Sequence, residues 1–83
     1  MTLTDRHHRI ERLDQLIRQH CTGSAKKIAE HLGVHERTVF EELDIMRAMG
    51  ADIQWDSRRH TYYYVQPGRF RFGWLPANNT NEE

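Results

Sequence analysis

Apolar residues in the first part of the chain recur at the spacing of a helix. Ile10, Leu13, Leu16 and Ile17 lie three, three and one positions apart, so they share one helical face. Polar and charged residues fill the other face, as is typical of a helix that packs on a core. The pattern predicts a first helix over residues 4–20.

Two further helices, joined by a tight turn, are predicted over residues 25–32 and 36–49. Gly33 follows the earlier of the two at once, where glycine can adopt the left-handed conformation that ends a helix. Ala29 is small where the helices would touch, and Val39 supplies a β-branched side chain to their shared core. A small residue, a flexible turn and a β-branched residue in this register are typical of a helix-turn-helix.

After residue 50 the apolar period changes from helical to alternating. Residues 52–56 alternate polar and apolar side chains, and residues 61–65 are rich in strand formers. The polar and basic segment 57–60 joins them. We therefore predict a β-hairpin over residues 52–65, which forms a wing when it directly follows a helix-turn-helix.

A third alternating segment, residues 69–74, predicts a third strand or an extended arm. Its aromatic residues are Phe70, Phe72 and Trp74. Large aromatic side chains are rarely left in water, so we expect them to pack on the domain or on a second subunit. Residues 76–83 lack apolar periodicity and predict a disordered tail after one domain in residues 1–75. The predicted fold is mainly α with a small β wing: a three-helix winged helix-turn-helix followed by the β-hairpin and an aromatic strand or arm.

Composition narrows the class of protein. The chain has 83 residues, one cysteine and no apolar run long enough to span a membrane. Because Cys21 cannot form an intramolecular disulfide and no signal peptide is visible, we expect a cytoplasmic protein. Domains this small often gain stability by dimerising, so a homodimer is also expected.

Neither a metal site, a cofactor site nor an enzyme active site is predicted. Gly33 separates His31 from His35, so these two histidines do not share a helical face, and no Cys-x-x-Cys pair is present. Cys21 has no orienting partner in the sequence, and there is no glycine-rich phosphate loop. We expect a protein that is not an enzyme and binds neither metal nor cofactor.

From Arg9 to Val65 the sequence resembles the N-terminal winged helix-turn-helix of DeoR-type and WYL-domain transcriptional regulators. The matching residues are Leu32, Gly33, Val34, Arg37, Thr38, Val39, Leu43, Gly50 and Ile53. The resemblance implies a cytoplasmic, usually dimeric transcription factor that binds DNA. It further implies that the second motif helix enters the major groove and that the wing lies beside the DNA backbone.

The sequence departs from that family at positions where function is expected. His35 stands where the family has serine, Glu41 and Glu42 stand where it has arginine and aspartate, and Thr61 stands where it has glycine. The whole chain has twelve basic and twelve acidic residues, whereas nucleic-acid binders are more often basic. Residues 36–50 hold two basic and four acidic residues, which counts against a simple DNA-binding function.

The N-terminal part of a recognition helix meets the base edges. The candidates for base reading are His35, Glu36, Arg37, Thr38, Phe40 and Glu41. Arg37 can pair with guanine, Glu36 or Glu41 can accept from cytosine, and Thr38 or Phe40 can contact a thymine methyl group. The alternative is that Arg37 and Glu41 form a solvated i, i+4 ion pair.

Phosphate contacts are predicted at two other places. Ser24, Lys26 and Lys27 lie at the start of the first motif helix, where free N–H groups favour an anion. The candidates at the wing tip are Arg58, Arg59 and His60. In both places the alternative is an ordinary solvated surface. Two interpretations are likewise open for Arg6, His7 and Arg9 of the first helix, a solvated face or a position near phosphates.

The leading hypothesis is a sequence-specific double-stranded DNA-binding transcriptional regulator that acts as a homodimer. The alternative is a winged-helix protein-interaction module that uses the acidic second helix and the aromatic C-terminal strand. Its acidic residues would be Glu36, Glu41, Glu42 and Asp44. A third possibility is binding of single-stranded RNA or DNA through Tyr62, Tyr63 and Tyr64.

Overall fold

A computed structural model describes residues 3–70 and 74–77 of the chain. Three helices precede four short strands. The helices are α1 (Leu3–Arg18), α2 (Ala25–Leu32) and α3 (Glu36–Ala48), and the strands are β1 (Ile53–Asp56), β2 (Thr61–Tyr64), β3 (Gly68–Phe70) and β4 (Trp74–Pro76). Strand β1 pairs with β2 and strand β3 with β4, both antiparallel and in separate sheets. The predicted winged helix-turn-helix, mainly α with a small β wing, is confirmed.

The core is built from the apolar stripes of the three helices. Its fully buried side chains are Leu13, Ile17, Ile28, Val39, Leu43, Met46 and Ile53. These come from every helix and from the first strand of the wing, so the wing packs on the same core as the helices. Leu16 and Ile10, at the edge of the stripe of α1, are only half-buried.

The turn between α2 and α3 has the conformation that the glycine predicts. Gly33 is left-handed with φ 71°, and the Val34 N–H donates to the Ala29 carbonyl at 3.0 Å. Helix α1 ends two residues before the predicted His20, since its last helical residue is Arg18. His20 itself is left-handed (φ 56°), and the Cys21 N–H donates back to the Leu16 carbonyl at 3.1 Å. A histidine thus takes the helix-ending role usual for glycine.

The wing is anchored to the helices through a pair of buried threonines. The Tyr62 N–H donates to Thr22 Oγ1 at 2.9 Å, and the Thr22 N–H donates to Thr61 Oγ1 at 3.2 Å. Arg47 of α3 adds a third link, donating from Nε to the Ile53 carbonyl at 3.1 Å. Thr61 therefore has a structural role in joining β2 to the loop before α2.

The segment predicted as a third strand or an extended arm over residues 69–74 contributes to two short strands, β3 and β4. Phe70 and Trp74 are opposite each other in the antiparallel register of β3 and β4. The ordered part also extends past the predicted start of the tail at residue 76, because the Ala77 N–H donates to the Pro67 carbonyl at 2.8 Å. Phe72 and the tail residues 78–83 lie outside the described residues.

Two of the three C-terminal aromatic residues pack on their own domain. Phe70 is only 7% exposed and belongs to the core. The half-buried Trp74 ring lies 4.6 Å from Tyr64 and 5.3 Å from Phe70 between ring centroids. It also covers Gly68 so closely that a Cβ there would overlap the indole ring. Of the two possibilities for Phe70, packing on its own domain or on a second subunit, the structure shows packing on its own domain.

Candidate nucleic-acid interface

The outward face of α3 begins at the turn and carries most of the predicted base-reading side chains. Val39, Glu42, Leu43 and Met46 are buried, whereas Phe40, Glu41 and Asp44 between them are exposed. Phe40 is 49% exposed, and Arg37 and Glu41 beside it are exposed as well. The structure therefore leaves the first turns of α3 open to a groove of nucleic acid.

Four of the predicted base-reading residues converge on one shallow hollow. It is lined by His35, Arg37, Thr38 and Glu41. His35 precedes α3 as its N-terminal cap residue, yet its side chain makes no capping hydrogen bond, so the imidazole is available to a ligand. Thr38 is half-buried and presents less surface than the other three.

Arg37 does not form the alternative ion pair with Glu41. Among the residues that the structure describes, neither side chain has a salt-bridge partner, whereas Arg47, nearly three turns after Arg37, pairs with Asp44 at 3.3 Å. A guanidinium without such a partner keeps all of its donors available to a base or a phosphate.

Glu42 is buried and does not belong to the outward acidic face that the sequence suggested. Its carboxylate is fully inaccessible and accepts from Arg9 of α1, with Nη2 at 2.6 Å and Nε at 2.8 Å. Arg6 lies farther away, with Nε 3.9 Å from the same oxygen. The guanidinium of Arg9 therefore neutralises Glu42, and the placement of Arg9 near phosphates is wrong because its side chain is only 11% exposed.

The remaining acidic residues of α3 divide into two groups. Asp44 accepts from Arg47, so its charge is compensated locally. Glu36 and Glu41 are exposed, and within the part of the chain that the structure describes neither has a salt bridge. The acidic excess of the predicted recognition helix thus reduces to two carboxylates at its start.

The start of α2 combines a helix cap with two exposed cations. Ser24 Oγ accepts from the Lys27 N–H at 3.2 Å and caps the helix. The cations are Lys26 and Lys27. Lys26 and Glu30 of α2 also line an open depression that continues to His35, Glu36 and Thr38 on α3. This depression connects the predicted phosphate contacts of α2 with the predicted reading face.

The wing tip, residues 57–60, is held by an aspartate and presents its cations outward. Asp56 Oδ1 accepts from the backbone N–H groups of Arg58 and Arg59 at 3.0 and 3.2 Å. The Arg59 guanidinium lies 3.9 Å from the same carboxylate, a loose and solvent-exposed contact. Both arginines and His60 are exposed, so they are available to phosphates as the sequence suggested.

The three consecutive tyrosines of β2 are largely committed to the fold. Tyr62 is buried, and burial raises the pKa of its hydroxyl. The Tyr64 hydroxyl donates to the buried Asp14 at 2.7 Å, and burial followed by this bond raises its pKa as well. Tyr62 and Tyr64 therefore contribute to the packing and hydrogen bonding of the domain, whereas Tyr63 is half-buried.

The sequence reasoning missed one exposed aromatic residue beside the wing tip. Trp55 is 41% exposed and its ring contacts Tyr62 and His60. The alternation of β1 places Trp55 on the same face as the buried Ile53. Trp55 is accessible because the core ends before it, and the alternation of the sequence does not show where the core ends.

Two features typical of other protein classes are absent from the described residues. No group of three or more metal-binding side chains occurs among them. None of their helices has both the length and the apolar character needed to cross a membrane.

Comparison with known proteins agrees with the helix-turn-helix fold. A family model described as an HTH domain matches residues 9–64. This range includes α2, α3, the turn between them and the wing. No curated protein and no solved structure matches the chain significantly. The chain belongs to the HTH domain family of helix-turn-helix DNA-binding domains.

Proposed function

We propose that the protein is a sequence-specific transcriptional regulator that binds double-stranded DNA with α3 in the major groove. The observation that carries the proposal is the outward face at the start of α3, where Arg37, Phe40 and Glu41 are exposed and Arg37 has no ion pair among the described residues. Exposed cations lie beside this face, on α2 and on the wing tip.

Roles follow from the chemistry of the side chains. Arg37 pairs with guanine, Glu36 or Glu41 accepts from cytosine N4, and His35, Thr38 and Phe40 complete the reading surface. Phosphates contact Lys26, Lys27 and the Ser24 turn on one side of α3. They contact Arg58, Arg59 and His60 on the other. The DNA sequence is read by α3, whereas the affinity for DNA comes mainly from α2 and the wing.

We further propose that the protein acts in the cytoplasm as a homodimer on a two-fold site, as in the DeoR-type and WYL-domain regulators that it resembles. Because Phe70 is buried in its own core, the dimer would use other surface. Trp74 is half-buried, and Val65 and Leu75 are exposed on the same C-terminal part. Sedimentation equilibrium with and without a Leu75→Asp substitution tests this interface.

Charge reversal on the wing tests the proposed DNA contact. Arg58→Glu should weaken binding to all duplexes alike and reduce the log–log salt slope by about one for each phosphate that the variant no longer neutralises. Arg37→Ala should instead lower the preference for one site over others. Arg69→Glu is the matched control, because Arg69 is also an exposed arginine but belongs to β3 and not to the wing tip. The proposal fails if fluorescence anisotropy detects no duplex binding at low salt, or if binding does not change with salt.

The protein-interaction alternative has less support than the sequence suggested. Of its four acidic residues, Glu42 is buried and Asp44 is paired with Arg47. Of its aromatic residues, Phe70 is in the core, and Phe72 lies outside the described residues. If charge reversals in the wing, such as Arg58→Glu, left the biological activity of the protein unchanged, this alternative would be favoured over DNA binding.

A further inference from the structure

Trp55 forms an exposed aromatic site at the end of the wing. It lies directly opposite Tyr62 in the β1–β2 register, with ring centroids 4.9 Å apart and planes inclined at 60°. His60 lies on another side, with a centroid distance of 6.4 Å. The buried Tyr62 thus supports the indole ring in a fixed orientation while 41% of Trp55 faces solvent.

The charges around this ring select the kind of partner. Arg58 and Arg59 lie at the same tip, and within the described residues the Arg58 guanidinium has no ion pair. A flat apolar ring beside cations suits a ligand that has both an aromatic face and a negative charge. A nucleotide has both, because its base can stack on an indole and its phosphate can contact arginine.

The stacking requirement separates unpaired from paired bases. Within a duplex, away from its two ends, each base face is already covered by its neighbours, and only the edges are open in the grooves. A tryptophan ring stacks on a base only where that base is unpaired. We propose that Trp55 is a stacking site for an unpaired base, on a strand whose phosphates contact Arg58 and Arg59. The inference deepens the proposed function, on which it rests, by adding a single-stranded contact next to the duplex.

A tryptophan fluorescence titration tests the site directly. The chain has two tryptophans, so Trp74→Phe leaves Trp55 as the single emitter. A short oligothymidine should quench its emission, while an abasic strand of the same length, with the same phosphates, should quench little. A poly-glutamate peptide provides the charge without a base. Equal quenching by the abasic strand or by the peptide would overturn the proposal.

Binding measurements without the Trp74 substitution separate this site from the proposed function. With a labelled duplex that carries a single-stranded overhang, Trp55→Ala should weaken binding by about tenfold or more, since base stacking on an aromatic side chain is commonly of that strength. Trp55→Phe should retain part of the affinity that Trp55→Ala loses. The blunt duplex should bind Trp55→Ala and wild-type protein equally.

The outcomes of that comparison are distinct. Wild-type binding to the blunt duplex reports on the proposed function whether or not the overhang matters. If the overhang adds nothing to wild-type affinity, or if Trp55→Ala weakens blunt and overhang duplexes by the same factor, the stacking site does not exist. Loss of duplex binding with persistent quenching by oligothymidine would instead retain the site and reject the proposed function.

Discussion

The buried pair of Glu42 and Arg9 should be the largest single electrostatic contribution to holding α3 on α1. Replacing Glu42 by alanine removes the carboxylate to which Arg9, whose side chain is only 11% exposed, donates at 2.6 and 2.8 Å. Removing one partner of a buried ion pair costs about 3–5 kcal/mol. A domain of this size has a free energy of unfolding of only about 4–12 kcal/mol. The substitution should therefore lower the melting temperature by about 12–24 °C, using the lower cost.

Glu41→Ala is the matched control for this experiment. Glu41 is the preceding residue of the same helix, has the same side chain and is exposed. Its removal should change the free energy of unfolding by no more than about 0.5 kcal/mol. Circular dichroism during thermal and urea denaturation measures both variants. Equal stability of Glu41→Ala and Glu42→Ala would refute the assignment of Glu42 to the core.

The double substitution Glu42→Leu with Arg9→Met sharpens the reasoning. The Glu42 Oε1 atom is buried and has no hydrogen-bond partner in the part of the chain that the structure describes, so the desolvation of the carboxylate is only partly compensated. Apolar replacements of similar volume are often neutral or stabilising at such pairs. The double variant should be more stable than Glu42→Ala. If the double variant is less stable than the wild-type protein, the attraction between the two charges contributes more than their desolvation costs.

Two further predictions concern the junction of the strands and helices. Because burial and the Asp14 bond raise the pKa of Tyr64 above its usual 10.0, its neutral hydroxyl contributes stability that is complete below pH 10 and declines as the pH rises further, by about 1.4 kcal/mol per pH unit. Tyr64→Phe should remove this component of the pH dependence in urea denaturation, and an unchanged alkaline slope would contradict it. Gly68→Ala should shift the tryptophan emission, because its Cβ would overlap Trp74. Gly33→Ala, at a left-handed position with open space, should cost about 1–2 kcal/mol without that shift, and equal emission from both variants would argue against the Gly68 contact.

The sequence predicts those parts of the fold that depend on neighbours along the chain. The inward stripe of α3, the glycine turn before it and the hairpin of the wing all follow from spacing and local conformation, and all are found. The β3–β4 pair was missed because alternation is the same whether a strand continues past Phe70 or turns back. The hydrogen bond from the Ala77 N–H to the Pro67 carbonyl was missed for a related reason. The apolar pattern of one segment does not show which earlier residue that segment pairs with.

The candidate site was harder to predict because burial of charge is a tertiary property. Glu42 looks like one more acid on an acidic helix until Arg9, 33 residues earlier, is placed against it. Trp55 shares a strand face with the buried Ile53, and only the extent of the core distinguishes the two. The outward positions of Arg37 and Phe40 needed no such information, because helical geometry fixes them relative to Val39.

The zero net charge of the chain is therefore a poor guide to its partner. Each internal ion pair removes one cation and one anion from the charge that a ligand meets, and Glu42, Asp14 and Asp44 are all paired with arginines. Two carboxylates are then left at the start of α3, Glu36 and Glu41, where each can accept from a cytosine instead of meeting a phosphate. In the proposed complex, attraction of the DNA backbone comes from α2 and the wing tip, and α3 reads the bases. The α3 carboxylates then disfavour every DNA sequence that offers them no donor, which makes the proposed arrangement selective.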